Sequence, residues 1–290
     1  MGKQAKFYHQ DTEKKLLAVE NYLKSFLSVM KNQNFETIYI DAFAGSGTLP
    51  INNDIGFLDG SIDAGDFVLG SAARALALGQ KFTRYIFVEE QKSKIDELKA
   101  FVATNSGTIQ NVDILTGDAN DELMKLCPML KKPNVRAVVF LDPFGNQVGW
   151  DLLHALAETQ HVDLWYLFPS MLGVYRQIGN VAAKMEPNKE KSLDRLFGPN
   201  DWRGAFIKRT TTKDLFGDHE SESKVANVED ITRFKIQCLK TIFKGGVSDS
   251  WLPLGRNNSH WCSLLFAMAN PSTKAVKAGH AIANAILKKK

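Results

Sequence analysis

Residues 37–48 read TIYIDAFAGSGT, and the fold follows from how this stretch is read. Thr37, Ile38, Tyr39 and Ile40 form a β-branched and aromatic run, the composition of a short buried strand. The run stops at Asp41, and Gly45 and Gly47 follow in a bend. The same unit then recurs. Residues 85–88 run into Glu89, residues 112–115 into Gly117 and Asp118, residues 135–141 stop at Asp142 and Pro143, and residues 162–168 halt at Pro169. Between them, helices are predicted over 71–78, 93–104, 121–131 and 150–158. Continuous apolar strands separated by helices specify a parallel sheet covered on both faces. In such a sheet ligands sit outside the carboxyl ends of the strands, so Asp41, Glu89, Asp118 and Asp142 are predicted to line one crevice.

Outward from this core, residues 12–31 carry Leu16, Val19, Leu23, Phe26 and Met30 at three- and four-residue steps, the pattern of an amphipathic helix. Residues 49–69 lack periodicity and read as a long loop. Beyond Ser170 the chain is expected to be mostly helical to about residue 249, with breaks at 186–188, 198–200 and 210–212 and its longest helix over 223–244. Two strands at 250–254 and 261–268 have hairpin spacing, and a helix over 273–289 ends the chain. The expected division is a helical segment (1–36), a cofactor-binding core (37–170), a helical insertion suited to substrate recognition (171–249) and closing strands and helix (250–290).

Composition narrows the function classes. The chain has 290 residues, 44% hydrophobic and 23% charged, the profile of a soluble globular protein. No run reaches the ~18 apolar residues of a membrane span, so no membrane association is expected. Cys127, Cys238 and Cys262 are widely separated and form no CxxC pair, which argues against a disulfide framework and a zinc site and for a cytoplasmic protein. Charge is unevenly distributed. Residues 1–170 hold 16 Lys and Arg against 21 Asp and Glu, whereas residues 171–290 hold 20 against 11. A basic half beside an acidic one is the asymmetry of a protein that meets a polyanion, here DNA or RNA through residues 171–290.

The glycine bend is not a dinucleotide fingerprint, because Pro50 stands where a third glycine belongs, and no P-loop is present. Its acidic surroundings suit a ligand with positive charge and hydroxyls. Phe43, Ala44, Gly45, Ser46 and Gly47, preceded by Asp41 on a strand, resemble the FxGxG motif of class I S-adenosylmethionine-dependent methyltransferases, closest to the group that methylates amino nitrogens of nucleic-acid bases. The resemblance implies a Rossmann-like sheet, mostly parallel with a C-terminal antiparallel hairpin, and S-adenosylmethionine as cofactor. It places the Gly45–Gly47 bend against the methionine portion, Asp41 near the ammonium, Glu89 on the ribose hydroxyls and Asp118 at the adenine. Asp142, Pro143 and Phe144 are similar to the (D/N)PP(Y/F) catalytic motif. There, Asp142 and the Pro143 carbonyl would accept from the target amine, and Phe144 would stack on the base. The second proline is missing, which shifts the aromatic ring by one place. From Phe26-Leu27 through IDAFAGSGT, GSAARAL and FLDPFG to LFAMAN, the chain is similar to the three-Cys-motif partner (TcmP) proteins, which implies a separate three-cysteine protein as partner.

Blander readings stand beside these. Asp118 is also a good helix start, and Asp142-Pro143 a plain strand-to-loop turn. Trp150, Trp165 and Phe168 read as core, and His154 and His161 are given no catalytic role. No metal site is expected.

Overall fold

A computed structural model describes residues 3–50, 67–105, 111–179, 185–214, 217–255 and 260–288. The chain runs through α1 (Lys3–Met30), β1 (Glu36–Asp41), β2 (Thr48–Pro50), β3 (Phe67–Leu69), α2 (Ser71–Ala77), β4 (Arg84–Glu89), α3 (Lys92–Asn105) and β5 (Val112–Thr116). It continues through α4 (Ala119–Leu130), β6 (Val135–Leu141), α5 (Trp150–Glu158) and β7 (Val162–Phe168). A π-helical turn (Ser170–Tyr175) leads into α6 (Arg176–Ile178), α7 (Pro187–Phe197), α8 (Trp202–Phe206), β8 (Ile207–Asp214) and β9 (Gly217–Lys224). Last come α9 (Val228–Ile242), β10 (Leu252–Leu254), β11 (Cys262–Met268) and α10 (Thr273–Leu287).

Seven strands make the central sheet, in the order β10-β11-β7-β6-β1-β4-β5. β1 pairs in parallel with both β4 and β6, and only β11 runs against its neighbours β7 and β10. This is the Rossmann-like, mostly parallel sheet that the sequence implies, antiparallel closing hairpin included. The chain builds outward from β1 through β4 to β5, then crosses back to lay β6 on the other side of β1. The order therefore reverses between β1 and β6, which is where a ligand crevice opens in such sheets.

Both faces are buried because the central strands are apolar throughout. Ile38, Ile40, Val139 and Leu141 pack with α4, α5 and α9, while Tyr39, Phe87, Phe140, Trp165 and Phe266 pack with α1, α2 and α10. Each large side chain removed from water contributes about 1.5–3 kcal/mol. α1 begins earlier than the apolar stripe alone indicates, at Lys3, and buries Leu16, Val19, Leu23 and Phe26. Polar contacts fix its angle on the sheet. The Tyr22 hydroxyl donates to Asp163 at 2.7 Å, and Arg74 of α2 pairs with Glu13 and Glu20.

Residues 171–249 depart from the all-helical expectation. β8 and β9 form a separate two-stranded ribbon in which Thr210 lies opposite Ser221 and Thr211 opposite Glu220. The threonine run is therefore strand, as β-branched residues favour, and Arg209 donates to Glu222 across the ladder at 2.6 Å. The helix expected over 223–244 starts only at Val228, because Asn227 and Asp230 close a reciprocal capping box there. The ends of the expected loop 49–69 pair as β2 and β3, and residues 51–66 lie outside the described residues. Among the described residues no helix is long and apolar enough to cross a membrane, and no cluster of His, Cys, Asp or Glu is grouped to hold a metal ion.

Candidate active site

The ends of β6, β1, β4 and β5 are adjacent on one edge of the sheet, and each delivers a carboxylate there. Asp41 is the last residue of β1 and is fully buried. Its Oδ1 accepts the Phe43 N–H at 3.2 Å. Among the described residues its Oδ2 has no hydrogen-bond partner, although the Ser71 hydroxyl stands close enough to favour the ionised form. Burial pushes this carboxyl up to about 7, against the pull of Ser71; the charge of Asp142 adds to the rise, and the Phe43 amide and Lys15 oppose it. A buried carboxylate with an idle oxygen is a costly arrangement that a cation would relieve.

The glycine bend lies against β4. Ala44 donates its N–H to the Val88 carbonyl at 3.0 Å, and Gly45 donates to Glu89 Oε2 at 3.0 Å. Gly45 and Gly47 adopt φ +62° and +83°, a region other residues enter at a cost. Among the described residues a Cβ at Gly45 would meet nothing within 4 Å, so that side of the bend is open to them. Ser46 is half-buried between the two glycines, and Phe43 is half-buried against the core. Glu89 Oε1 accepts from the amides of Glu90 and Gln91 at 3.0 and 2.9 Å, which aims the carboxylate beside the bend.

Asp118 serves as the N-cap of α4, as the bland reading held. Its Oδ1 accepts the amide N–H groups of Asn120 and Asp121 and the Asn120 side chain. Burial pushes its carboxyl up, but those hydrogen bonds and the charge of Arg195 outweigh it and hold the pKa below its usual value. All these bonds fall on Oδ1. Capping and ligand contact are thus compatible, through different oxygens.

Asp142 is reached from across the sheet. Lys15 of α1 donates to its Oδ2 at 2.5 Å, with both side chains largely buried. Pro143 is buried and Phe144, next to it, is 80% exposed. Lys94 of α3 stands over the Phe144 ring, its Nζ 5.6 Å from the centroid. The residues that hold this loop belong to no motif visible in the sequence. Asn120 accepts the Gly149 N–H at 2.8 Å and donates to the Gln147 carbonyl at 2.9 Å, joining the first turn of α4 to the loop after β6. Asn146 donates to the Gly173 carbonyl at 2.7 Å, fastening the loop to the π-helical turn. For Asn146 and Gln147, their place just beyond a Pro-Phe-Gly turn is the local signal that could have marked them; Asn120, in α4, carries none.

The basic excess of the second half is partly spent internally. Lys189, Arg203, Arg209, Arg233 and Lys240 pair with Glu186, Glu190, Glu222, Glu229 and Asp249. Lys235 is wholly buried, donating to the Leu196 carbonyl at 2.7 Å among Trp150, Tyr166, Phe168 and Phe197.

An adenosyl amino acid fits these residues: an idle buried carboxylate oxygen for a cation, an open glycine bend, and a directed carboxylate at the next strand end. No family model matches the sequence, and no curated protein matches it. Among solved structures the chain is similar to the N-terminal domain of EvdMO1 with SAH bound, at 10% identity over 86% of this chain and 79% of that one, TM-score 0.41. It is also similar to an S-adenosylmethionine-dependent methyltransferase from Clostridium acetobutylicum, at 10% identity over 86% and 91% of the two chains, TM-score 0.35. An rRNA methylase from Streptococcus thermophilus is similar at 11% identity over 72% and 95%, TM-score 0.31.

Proposed function

We propose that the protein is an S-adenosylmethionine-dependent methyltransferase that methylates a nitrogen of a nucleic-acid base, as the resemblance of its FxGxG and Asp142-Pro143-Phe144 motifs to the amino-methylating class I group suggests. One observation supports the reading: Asp41, Glu89, Asp118 and Asp142 stand at or just beyond the carboxyl ends of adjacent strands, with the Gly45–Gly47 bend bonded to Glu89. The cofactor, when bound, supplies a methyl group on a positively charged sulfur. The chain's own residues do the rest. Asp41 receives the ammonium that its burial calls for, the open face of Gly45 admits the methionine portion, Glu89 accepts from ribose hydroxyls, and Asp118 offers Oδ2 to the adenine.

On the substrate side, Lys15 holds Asp142 Oδ2, so Oδ1 is the oxygen left to accept an N–H from the target amine. The Pro143 carbonyl takes the other N–H, and Phe144 stacks on the base. A paired base would have to be unstacked to arrive there. Alignment of this kind contributes up to about 7–11 kcal/mol in well-oriented systems. The polymer would lie along exposed basic residues of 171–290, such as Arg176, Lys191 and Lys208, with an affinity that falls steeply as salt rises.

The test is transfer of tritiated methyl from S-adenosylmethionine to single-stranded DNA and RNA at low salt. Asp142→Ala should lose about 100-fold or more in rate, as typical for a group acting in the transition state, and keep cofactor binding. The missing second proline after Asp142-Pro143 favours a second reading, a cofactor-binding partner of a three-cysteine protein without catalysis of its own. On that reading neither wild type nor Asp142→Ala transfers methyl.

A further inference from the structure

The loop after β6 has to solve a problem that its own sequence creates. Where the resembled motif has a second proline, this chain has Phe144, which brings a backbone N–H that proline lacks and frees a φ that proline would fix. An exposed loop with such a residue is free to let the phenyl ring fold inward, since hiding it would gain about 2 kcal/mol. Phe144 nevertheless stands 80% exposed.

Gln147 accounts for this. Its side-chain Oε1 accepts the Phe144 N–H at 2.7 Å, closing the turn from the far side. Gly145 permits the reversal with φ +72°. The Gln147 carbonyl is itself fixed by Asn120 Nδ2 at 2.9 Å, so the acceptor rests on α4 and does not move with the loop. Asn146, between them, is tied to the Gly173 carbonyl at 2.7 Å. The turn is therefore held from the core on one side and from the insertion on the other, and the ring is presented outward with Lys94 Nζ 5.6 Å from its centroid.

We propose that Gln147 is a positioning residue that takes the place of the missing proline, holding Phe144 opposite Lys94 as a platform for one unpaired base with its phosphate near the lysine. The identity of the stacked group rests on the methyltransferase reading; the hold on the loop does not. Stacking on an aromatic side chain is worth about 1–3 kcal/mol per base and tolerates any base, whereas a paired base keeps its faces covered.

The experiment uses the full chain with S-adenosylhomocysteine and has two readouts. Hydrogen exchange at the Phe144 amide, followed by NMR, should be protected in wild type and about tenfold faster in Gln147→Ala, the worth of one hydrogen bond. Gln147→Glu keeps an acceptor at similar reach and should restore protection. Quenching of a single-stranded oligonucleotide carrying 2-aminopurine should weaken about tenfold in Gln147→Ala, while affinity for S-adenosylhomocysteine stays as in wild type. A Phe144 amide that exchanges equally fast in wild type and Gln147→Ala overturns the inference, as does unchanged quenching in that variant. If wild type binds S-adenosylhomocysteine but does not quench the oligonucleotide, the stacked base is overturned; if it does not bind S-adenosylhomocysteine, the methyltransferase reading itself fails.

Discussion

Asp41 gives the sharpest quantitative handle on the site. Its carboxyl is pushed up to about 7 by burial, with Asp142 adding to the rise, so without ligand it carries a proton about half the time at neutral pH. A ligand ammonium placed against it favours the ionised form and lowers its pKa. The sign follows: binding releases a proton, and affinity rises with pH through 7. About one-eleventh of the molecules are ionised at pH 6 and about ten-elevenths at pH 8, so the dissociation constant should fall about tenfold, roughly 1.4 kcal/mol, across that range. The ligand's own amino group, that of a free amino acid, titrates above this range, and Asp41→Asn isolates any contribution from it because that variant retains a polar group but cannot ionise. Calorimetric titration with S-adenosylhomocysteine at pH 6, 7 and 8 reads both affinity and, by changing buffer, proton release. Wild type should release about half a proton at pH 7. A pH profile identical in wild type and Asp41→Asn would refute the assignment of Asp41 to the ammonium.

Two further substitutions separate stability from binding. Gly45→Ala forces a left-handed φ at a cost of about 1–2 kcal/mol, read as a modest fall in Tm, but its methyl enters the open side of the bend and should weaken S-adenosylhomocysteine at least tenfold. Undiminished binding would place the ligand elsewhere. Burial pushes Lys235 down to about 7, so between there and its unfolded value near 10.4 the unfolded chain binds more protons and stability rises with pH. Lys235→Met should gain about 4 kcal/mol at pH 7, less about 1 for the orphaned Leu196 carbonyl, and the gain should shrink by about 2 kcal/mol at pH 9. Urea unfolding at both pH values measures it; a difference that does not change with pH would contradict the account.

The parts of this molecule legible in the sequence are those fixed by short-range pattern. β1, β4, β5, β6 and β7 are runs of apolar residues with polar stops, and the carboxylates follow because each sits at a stop. The β8–β9 ribbon was not legible, because its ladder joins charged and hydroxyl side chains, such as Arg209 and Glu222, and shows no apolar alternation. β2 and β3 are three residues each and pair across an intervening stretch. In the site, Lys15 could not be found from the sequence: it lies 127 positions from Asp142 and belongs to a helix whose visible signal is its apolar face. Asn120, Asn146 and Gln147 were missed for a related reason. Their work is to bond carbonyls and amides of other loops, which no local spacing records.

The most direct measurement is a crystal structure of the protein with S-adenosylhomocysteine. The account predicts the ribose hydroxyls within hydrogen-bonding distance of Glu89, the amino group at Asp41 and the chain of the amino acid over Gly45. Adenosine bound away from this edge of the sheet, or a site between Asp41 and Glu89 that stays empty at saturating ligand, would contradict it.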